Sequence, residues 1–196
     1  METGDPKAIR ALAHPLRLDL MELLAAIGPA TAAQCGRALD VPQANCSFHL
    51  RQLAKYGFVE DAGPGQDRRE RQWRLPPERP TLQVESGRSL VGRELERTVV
   101  ERELEAILEY GARRDQEGPD WRGKAGIVSA LALVSPEEAS EIEAKWLALL
   151  EPYIARSAAA GGAHDNTGQR HVRYFMAATP LRTRETVGDG NGAADD

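Results

Sequence analysis

TAAQCGRALDVPQANCSFHLRQLAKYGFV, residues 31–59, decides how this chain folds. It reads as two short helices joined by a tight turn, then a glycine stop, then a strand. Thr31 and Gln34, three positions apart, form a capping-box pattern that starts the first helix. Leu39, Asp40 and Val41 end it, with Asp40 standing where a turn needs a residue tolerant of left-handed backbone. Pro42 opens the second helix at a first-turn position, where its missing N–H costs nothing. Gly57 after Tyr56 terminates that helix. Such a pair is a helix-turn-helix, whose second helix is the kind that enters a DNA groove.

Folding alone does not explain the outer face of the second helix. Cys46, Leu50 and Leu53 fall on one stripe and pack inward. Opposite them lie Ala44, Asn45, Phe48, Arg51, Gln52 and Lys55. Charges on a solvated face are ordinary, and single exposed apolar residues are common. An aromatic at the centre of a polar face suits a base edge or a thymine methyl, with Gln43 and Asn45 supplying bidentate hydrogen bonds. Arg51 and Lys55, further along, suit phosphates.

Downstream, residues 58–62 read as a strand, Gly63-Pro64-Gly65 as a turn, and residues 71–75 as the returning strand of a hairpin. Its tip and return carry Arg68, Arg69, Arg71 and Arg74, offset in part by Asp67 and Glu70. Beside a recognition helix, such a tip suits phosphate or minor-groove contact. Trp73 reads as the anchor of the hairpin to the core.

The run Ser47-Phe48-His49-Leu50-Arg51-Gln52-Leu53, with Gly57-Phe58-Val59 after it, resembles the ArsR-type winged-helix transcriptional repressors of bacteria. Their recognition helix commonly carries an S-x-H-L run, which brings Ser47 and His49 into the candidate DNA-binding set. Ala11-Leu12-Ala13-His14-Pro15-Leu16-Arg17 looks like that family's approach to its second helix. The likeness covers roughly residues 5–75, about two fifths of the chain. It implies a homodimer that binds a pseudo-palindromic operator in double-stranded DNA, represses transcription and releases DNA when an effector binds.

Many members of that family sense metals, and this sequence departs from them. Where they place a thiolate pair, it reads Thr31-Ala32-Ala33, and no His occurs between His49 and His164 for a site on the dimer helix. No metal and no cofactor is therefore expected. Cys35 and Cys46, the only cysteines, stand at core positions of the resembled fold, and free Cys buries well. A redox pair is the sharper alternative; it needs close approach and an activated thiolate.

The whole chain of 196 residues carries a net charge of −5, at first sight a poor match to nucleic acid. Residues 1–80 hold 11 Lys/Arg against 10 Asp/Glu, and the remainder 14 against 20. The acidity thus lies away from the proposed DNA face, and a few placed cations would carry a salt-sensitive affinity. No apolar run of transmembrane length and no signal peptide is seen, and two cysteines do not make a disulfide scaffold. A cytoplasmic protein without membrane association is expected. No nucleophile motif, phosphate-binding glycine loop or metal-spaced cluster speaks for an enzyme.

The organisation expected is mainly α with small β, in four parts. Residues 1–80 form the winged helix-turn-helix, opened by short helices from Pro6 and from Pro15, the latter stopping at Gly28-Pro29. A proline-rich connector at 76–80 leads to residues 81–118, a long dimerisation helix over about 86–114 with Val91, Leu95, Val99, Leu104, Ile107 and Leu108 along it. Residues 119–181 form a strand-helix-strand unit: a strand over 125–134, a helix starting at Ser135-Pro136 and ending at about Pro152-Tyr153 or slightly beyond, a loop at Gly161-Gly162 and a strand over 170–179. Trp121, Trp146, Tyr153 and Phe175 either make its core or line a pocket for a small organic effector. Residues 182–196 are a disordered tail. Two other readings stay open: a winged helix that docks on a protein, with the C-terminal unit binding a small molecule, or an enzyme housed in that unit.

Overall fold

The computed structural model describes residues 6–65, 67, 69–76, 90–159 and 168–181. Its described elements run α1 (Pro6–Leu12), α2 (Pro15–Ile27), β1 (Ala30–Thr31), α3 (Ala32–Leu39), α4 (Gln43–Lys55), β2 (Glu60–Pro64), β3 (Arg71–Arg74), α5 (Leu90–Arg113) and α6 (Pro136–Ala159). This is a mainly helical fold with one small antiparallel sheet, ordered β1-β3-β2. Expectations for the connector at 77–80, the loop at Gly161-Gly162, the first residues of the long helix and the tail at 182–196 lie outside the described residues.

Local chemistry sets the helix-turn-helix as its sequence requires. The Gln34 N–H donates to Thr31 Oγ1 at 3.2 Å while the Thr31 N–H donates to Gln34 Oε1 at 2.8 Å, closing the capping box. Asp40 ends α3 in the left-handed region, at φ 53° and ψ 44°. Pro42 sits one residue earlier than its spacing suggested. It is the N-cap of α4, and its carbonyl accepts from the Asn45 and Cys46 N–H groups at 2.9 and 3.2 Å. At the far end, the Gly57 N–H reaches Ala54 O (3.1 Å) and the Phe58 N–H reaches Leu53 O (3.0 Å). With Gly57 at φ 74°, this is a Schellman closure.

The hairpin differs from its sequence reading in two ways. Gly63 and Pro64 belong to β2 rather than to the turn, and the Gly65 N–H donating to Glu70 O at 2.7 Å closes the loop further out. The cause is a bulge between Asp61 and Gly63, where Gly63 adopts φ 101° and Asp61 Oδ1 accepts its N–H. Such an insertion needs a residue without a Cβ penalty. Phe58 and Val59 are buried core residues ahead of the strand. The second difference is β1, where Ala30 pairs with Trp73 and Thr31 with Gln72. Two residues are too short to leave a periodic signal.

One core joins these pieces. Leu12, Leu20, Leu24, Cys35, Cys46, Leu50, Leu53 and Val59 are all but fully buried, and Trp73 anchors the hairpin on them as expected. Leu95, Val99 and Gly92 of α5 face this core, with α5 lying against α1. Val100, Leu104, Ile107 and Leu108 fall on the opposite side of the same helix and are exposed. The apolar positions read as a single row are therefore two rows back to back.

A charged cluster fixes α5 and the C-terminal segment against α2. Arg102 donates to Asp19 at 2.7 Å and also pairs with Glu22 and Glu103. Arg173 reaches Glu22 at 2.5 Å and Glu103 at 3.6 Å. Burial pushes the buried Glu103 carboxyl up, against the pull of Arg173 and Arg102.

The C-terminal unit departs most from expectation. Residues 126–134 and 170–179 enter no ladder among the described residues, although their composition is that of strands. Neither finds a neighbouring strand among the described residues. Helix α6 starts as its sequence requires: the Ser135 N–H donates to Glu138 Oε2 at 2.7 Å, and the Glu138 N–H to Ser135 Oγ at 3.2 Å. It runs through Pro152 and on to Ala159, six residues past Tyr153. Pro removes one donor but permits the turns beyond it. Trp121 and Trp146 are half-buried, and Tyr153 and Phe175 are exposed, so the described residues enclose none of the four. Trp121 donates to Gly168 O at 3.3 Å and lies under the Arg170 guanidinium, which also pairs with Glu117.

Candidate nucleic-acid interface

Burying Cys46, Leu50 and Leu53 forces the rest of α4 outward. Gln43, Ala44, Asn45, Phe48, Arg51 and Lys55 are exposed, and Ser47, His49 and Gln52 are partly covered. Phe48 is 51% exposed at the centre of this surface, its ring edge-on to His49 at 5.1 Å. The Lys55 ammonium sits 5.6 Å from the centroid of the Tyr56 ring. Helical spacing sends Gln43 and Asn45 to opposite flanks of α4.

The hairpin stands on the Gln43 flank. Between it and α4 lies an open cleft of about 380 Å³, with Gln43, Ser47 and Arg51 on one wall. Arg69, Glu70 and Arg71 form the other, above Trp73. The structure thus gathers five of the candidate residues into one cationic groove, while Ala44, Phe48 and Lys55 face outward beside it. Arg68 lies outside the described residues.

Two of the hairpin cations are partly committed. Arg71 Nε pairs with Asp61 at 3.0 Å, and its guanidinium lies 5.7 Å from the Trp73 ring centroid; Arg74 pairs with Glu60 at 2.7 Å. The neutralising carboxylates come from β2 across the hairpin. Asp67, expected to offset the arginines, instead accepts the Arg69 N–H at 3.0 Å and shapes the loop.

His49 is oriented differently from its exposed neighbours on α4. Its ring lies against that of His14, tilted by 43° with centroids 4.3 Å apart, and Nδ1 of each is buried without a hydrogen-bond partner. His14 occupies the N-cap position of α2 but makes no side-chain cap bond. Burial first, then the Arg17 charge, lowers the affinity of His14 for a proton; burial, His14 and Arg17 do the same for His49. Both rings are neutral in the folded chain at pH 7, whereas an unfolded His takes a proton near pH 6.5. The unfolded state therefore binds more protons as pH falls below that value, and the fold loses stability there. We expect the drop in Tm between pH 7.5 and 5.5 to shrink in a His14→Phe, His49→Phe double variant. An unchanged drop would assign the pH dependence to other groups.

The cysteines show the burial expected of core residues. Both are fully buried and unpaired as disulfide. Burial, with Cys46 nearby, pushes the Cys35 thiol up to about 11, and burial raises Cys46 as well. Thiolate is the reactive form, so neither side chain is activated. We expect labelling by a thiol reagent at pH 8 to proceed only on unfolding; rapid labelling of the native chain would revive the redox reading.

Sequence reasoning missed Arg37. It is exposed in the last turn of α3 and lines a shallow hollow with Asp40, Pro42 and Gln43 at the mouth of α4. The readable signal was a cation in the last turn of the helix that precedes α4. It also missed Gly36. A Cβ there would stand 2.6 Å from Val41 O and 3.3 Å from Gln43 N, so the turn closes only on glycine.

Among the described residues, no three His, Cys, Asp or Glu side chains are grouped as a metal ion would require, and no helix is long and apolar enough to cross a membrane. Residues 12–62 match a family model described as a helix-turn-helix domain. No curated protein matches the chain. The matched stretch runs from the end of α1 through α4 into β2, the part of the chain that carries the exposed helix. The chain carries a helix-turn-helix of the kind found in DNA-binding regulators.

Proposed function

We propose that the protein is a sequence-specific transcriptional repressor of the ArsR type, acting as a cytoplasmic homodimer on a pseudo-palindromic operator. The observation that carries this reading is the groove between α4 and the hairpin, where Gln43, Ser47, Arg51, Arg69 and Arg71 converge beside exposed Phe48. In the groove, Gln43 reads base edges while Arg51 and Arg69 hold phosphates; beside it, Asn45 reads base edges from the other flank of α4, Phe48 meets a thymine methyl and Lys55 holds phosphate. Residues 1–80 are the DNA-binding domain, 81–118 the dimer helix and 119–181 the responsive unit. Two recognition helices related by a twofold axis call for half-sites about one turn, ~34 Å, apart. Arg37, beside Gln43 at the start of α4, joins the phosphate-contacting set.

Titrating the full chain against the DNA upstream of its own gene at two salt concentrations tests this. Saturable binding that weakens steeply with salt, and resists competition by unrelated duplex, is expected. Binding equal on every sequence, or none, contradicts the reading and favours a protein partner for the Phe48 face.

A further inference from the structure

The C-terminal half exposes far more apolar surface than a solitary chain in water retains. Residues 126–136 contain no charged side chain. Within that run, Ile127 is 76%, Val128 94% and Leu131 82% exposed, and Leu133 is fully so. Helix α6 adds a stripe of Ile142, Leu149 and Tyr153, all exposed, and its main packing is against α2. The outer row of α5 supplies Val100, Leu104 and Leu108.

Each of these side chains offers on the order of 100 Å². Together they approach roughly 1,000 Å² per chain, above the ~800 Å² per partner of a stable interface. An uncharged β-rich run without a ladder is also an aggregation hazard unless something covers it.

We infer that the occupant is a second copy of this chain, and that residues 126–134 of the two copies pair as antiparallel strands across the twofold axis, with each α6 packed over them. Self-pairing suits this run, because a twofold axis sets it against its own image, and no like charges meet there. A charged partner strand would find no counter-charge along it. The polar edge of the unit is already occupied on its own chain: Arg173 is held by Glu22 and Glu103, and Arg170 by Glu117. The apolar side is what remains. The unpaired strands and the exposed outer row of α5 then have one explanation, a C-terminal unit completed by its partner.

This rests on the homodimer of the proposed function, but its test uses no DNA, so the two can fail separately. Hydrogen exchange and sedimentation of the full chain, wild type and Leu131→Asp, provide that test. The expected wild type is a two-chain particle whose 126–134 amides exchange slowly. In Leu131→Asp those amides should exchange fast, and dimer dissociation should rise roughly 100-fold, as for a charge moved into an apolar interface. Position 131 is exposed in the single chain, so exchange in α2 and α4 should stay as in wild type and report an intact fold. A two-chain particle with fast 126–134 exchange, unmoved by Leu131→Asp, would mean that α5 alone joins the copies and overturns the inference. A single-chain mass at all concentrations would overturn it too.

Discussion

Replacing Gly36 by alanine is expected to destabilise the DNA-binding domain by about 1–3 kcal/mol, the usual cost of overfilling a packed site. Alanine is the better helix former by about 1 kcal/mol, so an unobstructed substitution would stabilise α3. Here the new methyl meets backbone, Val41 O at 2.6 Å and Gln43 N at 3.3 Å. The Val41 N–H donates to Gly36 O at 2.9 Å and holds that approach in place. No side chain can rotate aside; relief requires the turn to open and α4 to shift. Gly111 of α5 is the internal control, because a Cβ there meets nothing within 4 Å. Gly111→Ala should therefore raise Tm slightly while Gly36→Ala lowers it by several degrees and weakens DNA binding. Equal responses in thermal unfolding would show that the turn is not as tight as described.

The second large effect concerns Arg51. It is exposed on α4 and lines the groove with Arg69 and Arg71. Removing one phosphate contact should weaken binding on every duplex alike and lower the salt slope by about one. Gln43→Ala and Asn45→Ala should act on the preferred sequence only, costing about 1–3 kcal/mol there and little elsewhere. Since these two residues leave α4 on opposite flanks, they should relax preference at different base pairs. Fluorescence anisotropy on preferred and scrambled duplexes separates the cases. Equal losses on all DNA for all three variants would contradict this division of roles.

What could be read in the sequence was what neighbours along the chain decide. The Thr31–Gln34 box, left-handed Asp40 and the Gly57 stop each involve residues within a few positions. Each appears in the fold as its pattern required. The inward stripe of Cys46, Leu50 and Leu53 was equally plain, because helical periodicity is local. What depends on distant partners was not visible. Strand β1 exists only because Trp73 and Gln72 lie beside Ala30 and Thr31. Whether Arg71 and Arg74 face DNA unencumbered depends on the β2–β3 register, which sets Asp61 and Glu60 against them. The Arg102–Glu22 pair spans 80 positions, and no pattern announces it. The strand-like runs of the C-terminal unit show the reverse limit: composition specified strands, but the described residues of the chain supply no neighbour for them.

The face of α4 carrying exposed Phe48 is proposed to lie against duplex DNA. A photo-crosslinking phenylalanine analogue at position 48, irradiated in the complex with DNA upstream of its own gene, tests it most directly. The expected result is a protein–DNA adduct confined to one or two base pairs in each half-site. An analogue at Arg10, exposed on α1, should give none. No adduct from position 48 while binding persists would mean that another surface meets the DNA.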